Sequence, residues 1–288
     1  PTGGGSTQMH DACAENDVAS ADQYCYTSPG IRGDNGPQGI CDNANFPTLW
    51  DGTSYLWQGE YQDGAAVDKA AAYGWQADAL RSLYTDQDLL VPIWVAVESQ
   101  MPYLTDTGRD IILYGEIRGA TYSAIIHEAR GLLYFQHNGF YHADELGPGN
   151  PATDYTANGG DDPNTGNPPN ETTMSLVGGD AALRDFVGDL NAEVLSLAPV
   201  LNTQSYEFDF GATLIDTMLK AKDGFAYIFA CLSQLGTTGS KTFTLTGTGI
   251  TGTDVEVVNE SRSLTVSGGQ FTDTFANEYT VHIYKIAI

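Results

Sequence analysis

The segment Leu89-Leu90-Val91-Pro92-Ile93-Trp94-Val95-Ala96-Val97-Glu98 is an almost uninterrupted apolar run that ends on a carboxylate. It is too short to span a bilayer, and it does not alternate between apolar and polar residues. It therefore reads as a strand of a parallel sheet buried on both faces, with its acid at the strand end. Such a strand needs covering helices, and the flanking sequence supplies them. From Ala65 to Tyr84, residues Trp75, Ala79, Leu80, Leu83 and Tyr84 recur at helical spacing. A second helix is expected from a cap at Thr105 or Asp106 to about Ala129, with Gly115 and Gly119 leaving a small-residue face for close packing. Val18–Tyr26 and Leu132–His137 are the neighbouring strand candidates. Strand, helix, strand, helix, strand is the pattern of a parallel α/β layer.

A polar loop from about Tyr141 to Thr173 is followed by a helical stretch from Gly178 to Leu201. Past Pro199 short strands alternate with glycine-marked turns: Tyr206–Phe210, Leu214–Leu219, Phe225–Cys231, Lys241–Leu245, Val255–Val258, Ser263–Val266, Gln270–Phe275 and Thr280–Ile286. The expected fold is thus α/β plus all-β, with an α/β portion over 1–200 and an antiparallel β-sandwich over 201–288.

The chain has 288 residues, with 12 Lys and Arg against 37 Asp and Glu and a formal net charge of −25. Without clusters of basic residues it has no means of holding a phosphate backbone or an anionic membrane surface, so neither nucleic acid nor membrane insertion is expected. Hydrophobic residues make up 41% of the chain, enough to fill a core and to exclude disorder throughout. The opening Pro1-Thr2-Gly3-Gly4-Gly5-Ser6 reads as a linker or a processed start. Cys13, Cys25 and Cys41 lie in loop-like sequence and Cys231 in an apolar run. A Cys25–Cys41 disulfide is expected, with Cys231 a buried thiol, and this usage points to a secreted, extracellular or cell-surface protein.

Several segments together resemble the C-terminal half of a (β/α)8-barrel glycoside hydrolase with its trailing β-sandwich. They are Ala21-Asp22-Gln23-Tyr24 with the aromatic loop after it, Pro92 to Glu98, Ala124-Ile125-Ile126-His127-Glu128-Ala129-Arg130-Gly131-Leu132-Leu133-Tyr134-Phe135, and Val281-His282-Ile283-Tyr284. The likeness is to retaining enzymes with a glutamate nucleophile on the seventh barrel strand. It implies a partial TIM barrel holding the last three strand-helix units, with Val18–Tyr26, Leu90–Glu98 and Leu132–His137 as strands six to eight. Glu98 then stands where the family keeps its nucleophile, at the carboxyl end of a strand. The resemblance places Asp22, Tyr24, Tyr26, Trp57, Trp94, Gln136 and His137 among the substrate contacts, and Trp50, Trp57 and Tyr61 suit stacking on sugar faces. His127 is expected to be structural. Glu128 departs from the small residue usual at its position and is expected to make a surface ion pair with Arg130 or Arg118.

A whole barrel needs eight strand-helix units, and the family's general acid lies on the fourth strand. The missing strands and acid are expected in a second chain or a missing N-terminal half, or the chain forms a homo-oligomer. No cofactor is implied. The loop Asp144-Glu145, Asp154, Asp161-Asp162, Asn164 and Asn167 has the hard oxygen donors that suit calcium, but no EF-hand spacing, and no metal ligand is assigned. Two function classes follow: a retaining hydrolase of poly- or oligosaccharides, or a non-catalytic glycan-binding or structural module of an extracellular assembly such as a cell surface or virion tail.

Overall fold

The computed structural model describes residues 17–22, 26, 69–85, 91–99, 112–135, 181–233 and 235–288. Three parallel strands, β1 (Ala19–Asp22), β2 (Ile93–Glu98) and β3 (Gly131–Phe135), pair in that order, with Val95 between Ala21 and Leu132. Helix α1 (Ala71–Thr85) lies between β1 and β2 in sequence, α2 (Tyr114–Ile126) between β2 and β3, and α3 (Ala181–Leu201) follows. The parallel layer is thus the one the apolar runs predict. Strand β2 begins only at Ile93, because Pro92 has no N–H to give the ladder, although its carbonyl accepts from Ala19 N at 3.1 Å.

Helix α2 starts later than expected. Its cap is Leu113, not Thr105 or Asp106, and the Glu116 carboxylate reaches back to accept the Leu113 N–H at 2.7 Å. An acid in the first turn thereby does the work of a polar cap side chain. The helix also ends early, at Ile126, where Glu128 adopts a left-handed φ of 63° and turns the chain into β3.

Helix α2 is covered on nearly every side because it sits between the parallel layer and the antiparallel one. Gly119, Ser123 and His127 form one ridge that meets Ala70, Gly74 and Asp78 of α1 and its approach, the i, i+4 spacing of ridge-and-groove packing. A Cβ on Gly74 would lie 2.2 Å from His127 Cδ2. The Tyr279 ring covers Gly115, where a Cβ would approach it to 2.5 Å. The small-residue face is therefore used twice.

The remaining strands are β4 (Ser205–Tyr206), β5 (Ile215–Lys222), β6 (Phe225–Leu232), β7 (Gly239–Thr244), β8 (Asp254–Val257), β9 (Arg262–Thr265), β10 (Gln270–Phe275) and β11 (Val281–Ala287). They form an antiparallel sheet of order β4-β5-β6-β11-β8-β9 and a β10-β7 pair. Each of the eight expected strands has a counterpart, the first reduced to Ser205–Tyr206, which shares only Tyr206 with the expected Tyr206–Phe210. Strand β6 alternates between two cores: Phe229 and Cys231 pack toward the helices, whereas Ile228, Ala230 and Leu232 join Phe243, Phe271, Phe275 and Tyr284 between the two sheets. Phe243 and Phe271 stack at 4.9 Å. Cys231 is a buried free thiol, as expected, and burial raises its pKa.

Candidate active site

Glu98 ends β2 opposite Phe135 and is 1% exposed. Period two sends Ile93, Val95 and Val97 toward the helices, so Trp94, Ala96 and Glu98 share the other face. Trp94 pairs with Ser20 and Gly131 at the start of the strand, and its ring lies where a Cβ on Gly131 would come within 2.5 Å. Four residues of strand rise separate Trp94 from Glu98, about 13 Å. Trp94, expected among the substrate contacts, therefore stands at the opposite end of that face from Glu98.

Two donors converge on one carboxylate oxygen. Tyr26 N–H donates to Glu98 Oε1 at 2.9 Å, and the Tyr73 hydroxyl, from the first turn of α1, donates to the same atom. The Tyr26 and Tyr73 rings stack with centroids 5.9 Å apart. Tyr26 is 6% exposed, and its hydroxyl donates to Glu278 Oε1 at 2.7 Å. Burial, reinforced by Glu278, holds the phenol well above the usual tyrosine pKa. Its side chain is thus committed to the protein interior, which corrects the expectation of a sugar contact there. Asp22 ends β1 in register with Ala96. Tyr24, Trp57, Gln136, His137 and the Cys25–Cys41 pair lie outside the described residues, as does the acidic loop considered for calcium.

Sequence reading missed Tyr73 and Glu278. For Tyr73 there was a signal: a hydroxyl-bearing ring at the start of a helix that follows a parallel strand lies near the strands' carboxyl ends. For Glu278, in a turn before the last strand, no local pattern pointed to the site.

Two further charged groups stabilise the fold away from Glu98. Glu128 pairs with Arg130 at 2.9 Å, as expected, but it also accepts from Ser205 Oγ and faces Lys220 Nζ at 3.4 Å. Since the Lys220 side chain is 0% exposed, the surface ion pair is corrected to one with a buried partner. Arg118 goes instead to Glu193 at 2.9 Å. In the antiparallel layer Arg262 grips Asp273 with two bonds of 2.9 and 2.7 Å, and His282 Nδ1 lies 2.5 Å from Glu260. Among the described residues no His, Cys, Asp and Glu cluster is placed to hold a metal, and no helix is long and apolar enough to cross a membrane.

No protein-family model matches the chain, and no curated protein matches it. Over most of its length it is similar to solved α-amylase structures. With an Anoxybacillus α-amylase it shares 14% identity at a TM-score of 0.42, over 76% of this chain and 45% of that one. For a Geobacillus thermoleovorans α-amylase complexed with acarbose the values are 13%, 0.39, 73% and 43%. With AmyP in complex with maltotriose they are 10%, 0.43, 93% and 55%, so the chain spans about half the length of the structures it resembles.

Proposed function

We propose that the chain carries the nucleophile of a retaining glycosidase-type site, with Glu98 as the attacking carboxylate and a poly- or oligosaccharide as substrate. The observation that supports this reading is Glu98 itself, a buried acid at the carboxyl end of a parallel strand, held at one oxygen by Tyr73 and the Tyr26 amide. A rigid strand and two donors fix the carboxylate, the condition for in-line attack on an anomeric carbon. Attack breaks the glycosidic bond and forms a glycosyl ester on Glu98. A second carboxyl about 5–5.5 Å away protonates the departing oxygen and then activates the water that cleaves the ester. That acid is proposed to come from outside the described residues, and the three parallel strands to be the closing part of a (β/α)8 barrel. Partial exposure of that face supports this arrangement: Ala96 and Glu98 are buried, but Trp94 is 38% and Leu133 44% exposed on a sheet type normally covered on both sides.

The near-complete burial of Glu98 favours a second reading, a non-catalytic glycan-binding or structural module in which the carboxylate serves only as an anchor for two tyrosines. Glu98→Gln separates the two. Under the first reading it abolishes release of reducing sugar from a polysaccharide panel at unchanged folding, and a 2-deoxy-2-fluoro glycoside adds one glycosyl mass to the peptide containing Glu98 in the unsubstituted protein. Absence of both turnover and labelling in the unsubstituted protein leaves the second reading standing, and turnover that survives Glu98→Gln excludes Glu98 as the nucleophile.

A further inference from the structure

Among the described residues, both donors to Glu98 are anchored by one residue of the antiparallel layer. Glu278 accepts the Tyr26 hydroxyl on Oε1 at 2.7 Å and the Ala70 N–H on Oε2 at 2.9 Å. Tyr26 supplies the amide that reaches Glu98, and Ala70 immediately precedes α1, whose third residue is Tyr73. One carboxylate therefore spans the bases of both donors, and as an anion at the start of α1 it also faces the positive end of the helix dipole. The turn that carries it is held in place. Asn277 N donates to Thr280 Oγ1 at 2.9 Å and Thr280 N to Asn277 O at 3.1 Å, while Tyr279 is wedged over Gly115 and Gly119 of α2.

We infer that Glu278 is a positioning residue for Glu98, contributed by the antiparallel layer, so that this layer is part of the active site's support and not only a neighbour of it. The inference rests on the proposed role of Glu98. Removal of the Glu278 carboxylate frees the Tyr26 ring and the start of α1 together, and the Glu98 donors lose their common anchor. Loss of alignment of about 1 Å at a reacting group costs on the order of 10²-fold in rate.

The test uses the whole chain and two kinds of readout. In Glu278→Ala and, as a smaller change, Tyr26→Phe, amide hydrogen exchange at Tyr26 is expected to speed at least tenfold, with β6 amides unchanged. Exchange at Tyr26 equal to that of the unsubstituted protein overturns the link, whatever Glu98→Gln does. On soluble starch as probe, Glu278→Ala is expected to lower kcat on the order of 10²-fold with KM nearly constant, and Glu278→Gln, which keeps one acceptor oxygen, to fall between. Faster exchange with unchanged kcat, in a protein that Glu98→Gln inactivates, also overturns it. If the protein turns over no member of the polysaccharide panel, starch included, or if Glu98→Gln retains turnover, the reading of Glu98 fails and the positioning role fails with it, the exchange result then reporting a structural link alone.

Discussion

His127 Nδ1 lies 2.7 Å from Asp78 Oδ2 while its Nε2 faces Asp216 Oδ2 at 3.3 Å, so one imidazole ties α1 to β5 across the end of α2. Burial acts against the charged ring, but the two carboxylates outweigh it and raise the pKa from 6.5 to about 10. A raised folded-state pKa contributes stability that is fully present below pH 6.5 and is lost as pH rises toward 10. Urea midpoints measured from pH 6 to 10 are expected to fall through that window, and His127→Gln to flatten the fall. Parallel slopes for the two proteins would show that this bridge does not set the alkaline limit.

Glu128→Gln is expected to destabilise the fold by about 2–3 kcal/mol, at the low end for a broken buried pair because Glu128 is itself partly exposed. It leaves the Lys220 ammonium, whose side chain is 0% exposed, with Thr203 O at 3.1 Å and Ser205 Oγ but no carboxylate. The double substitution with Lys220→Met is expected to recover part of the loss, because no uncompensated charge remains. Additive losses in a urea double-mutant cycle would mean that the two groups do not depend on one another.

Two glycines in helices should respond in opposite directions to alanine. At Gly119 a Cβ would lie 2.6 Å from Tyr279 Cβ and 2.8 Å from its carbonyl oxygen, neither of which can swing away, so Gly119→Ala is expected to cost about 1–3 kcal/mol. At Gly188 of α3 a Cβ meets nothing within 4 Å, and Gly188→Ala is expected to stabilise by about 0.5–1 kcal/mol through helix propensity alone. Thermal or urea unfolding reads both. A stable Gly119→Ala would mean that the Tyr279 turn moves freely on α2.

Much of the architecture was legible from period and punctuation. The apolar run ending in Glu98 announced β2, and period-two runs between glycines located the strands of the antiparallel layer to within a few residues. Gly115 and Gly119 marked a close-packing face before its occupant was known. The start of α2 was not legible, because the cap is an apolar residue served by an acid three positions later, whereas Thr105 and Asp106 looked the better caps. Trp94 was named a substrate contact on the resemblance, which does not say how far along the strand it stands from Glu98.

The sequence by itself determined the local elements and the strand end that carries the acid, since those follow from side-chain periodicity and from where Gly and Pro interrupt it. What surrounds that acid was decided only by the tertiary structure. The donors to Glu98 lie 72 and 25 residues away in the chain, and the Tyr26 hydroxyl meets its acceptor across 252 residues. Hydrogen bonds of that kind have no signature in any window of sequence. They exist because α2, a largely buried helix with a face of small residues, packs between the parallel and antiparallel layers and lets one turn reach both.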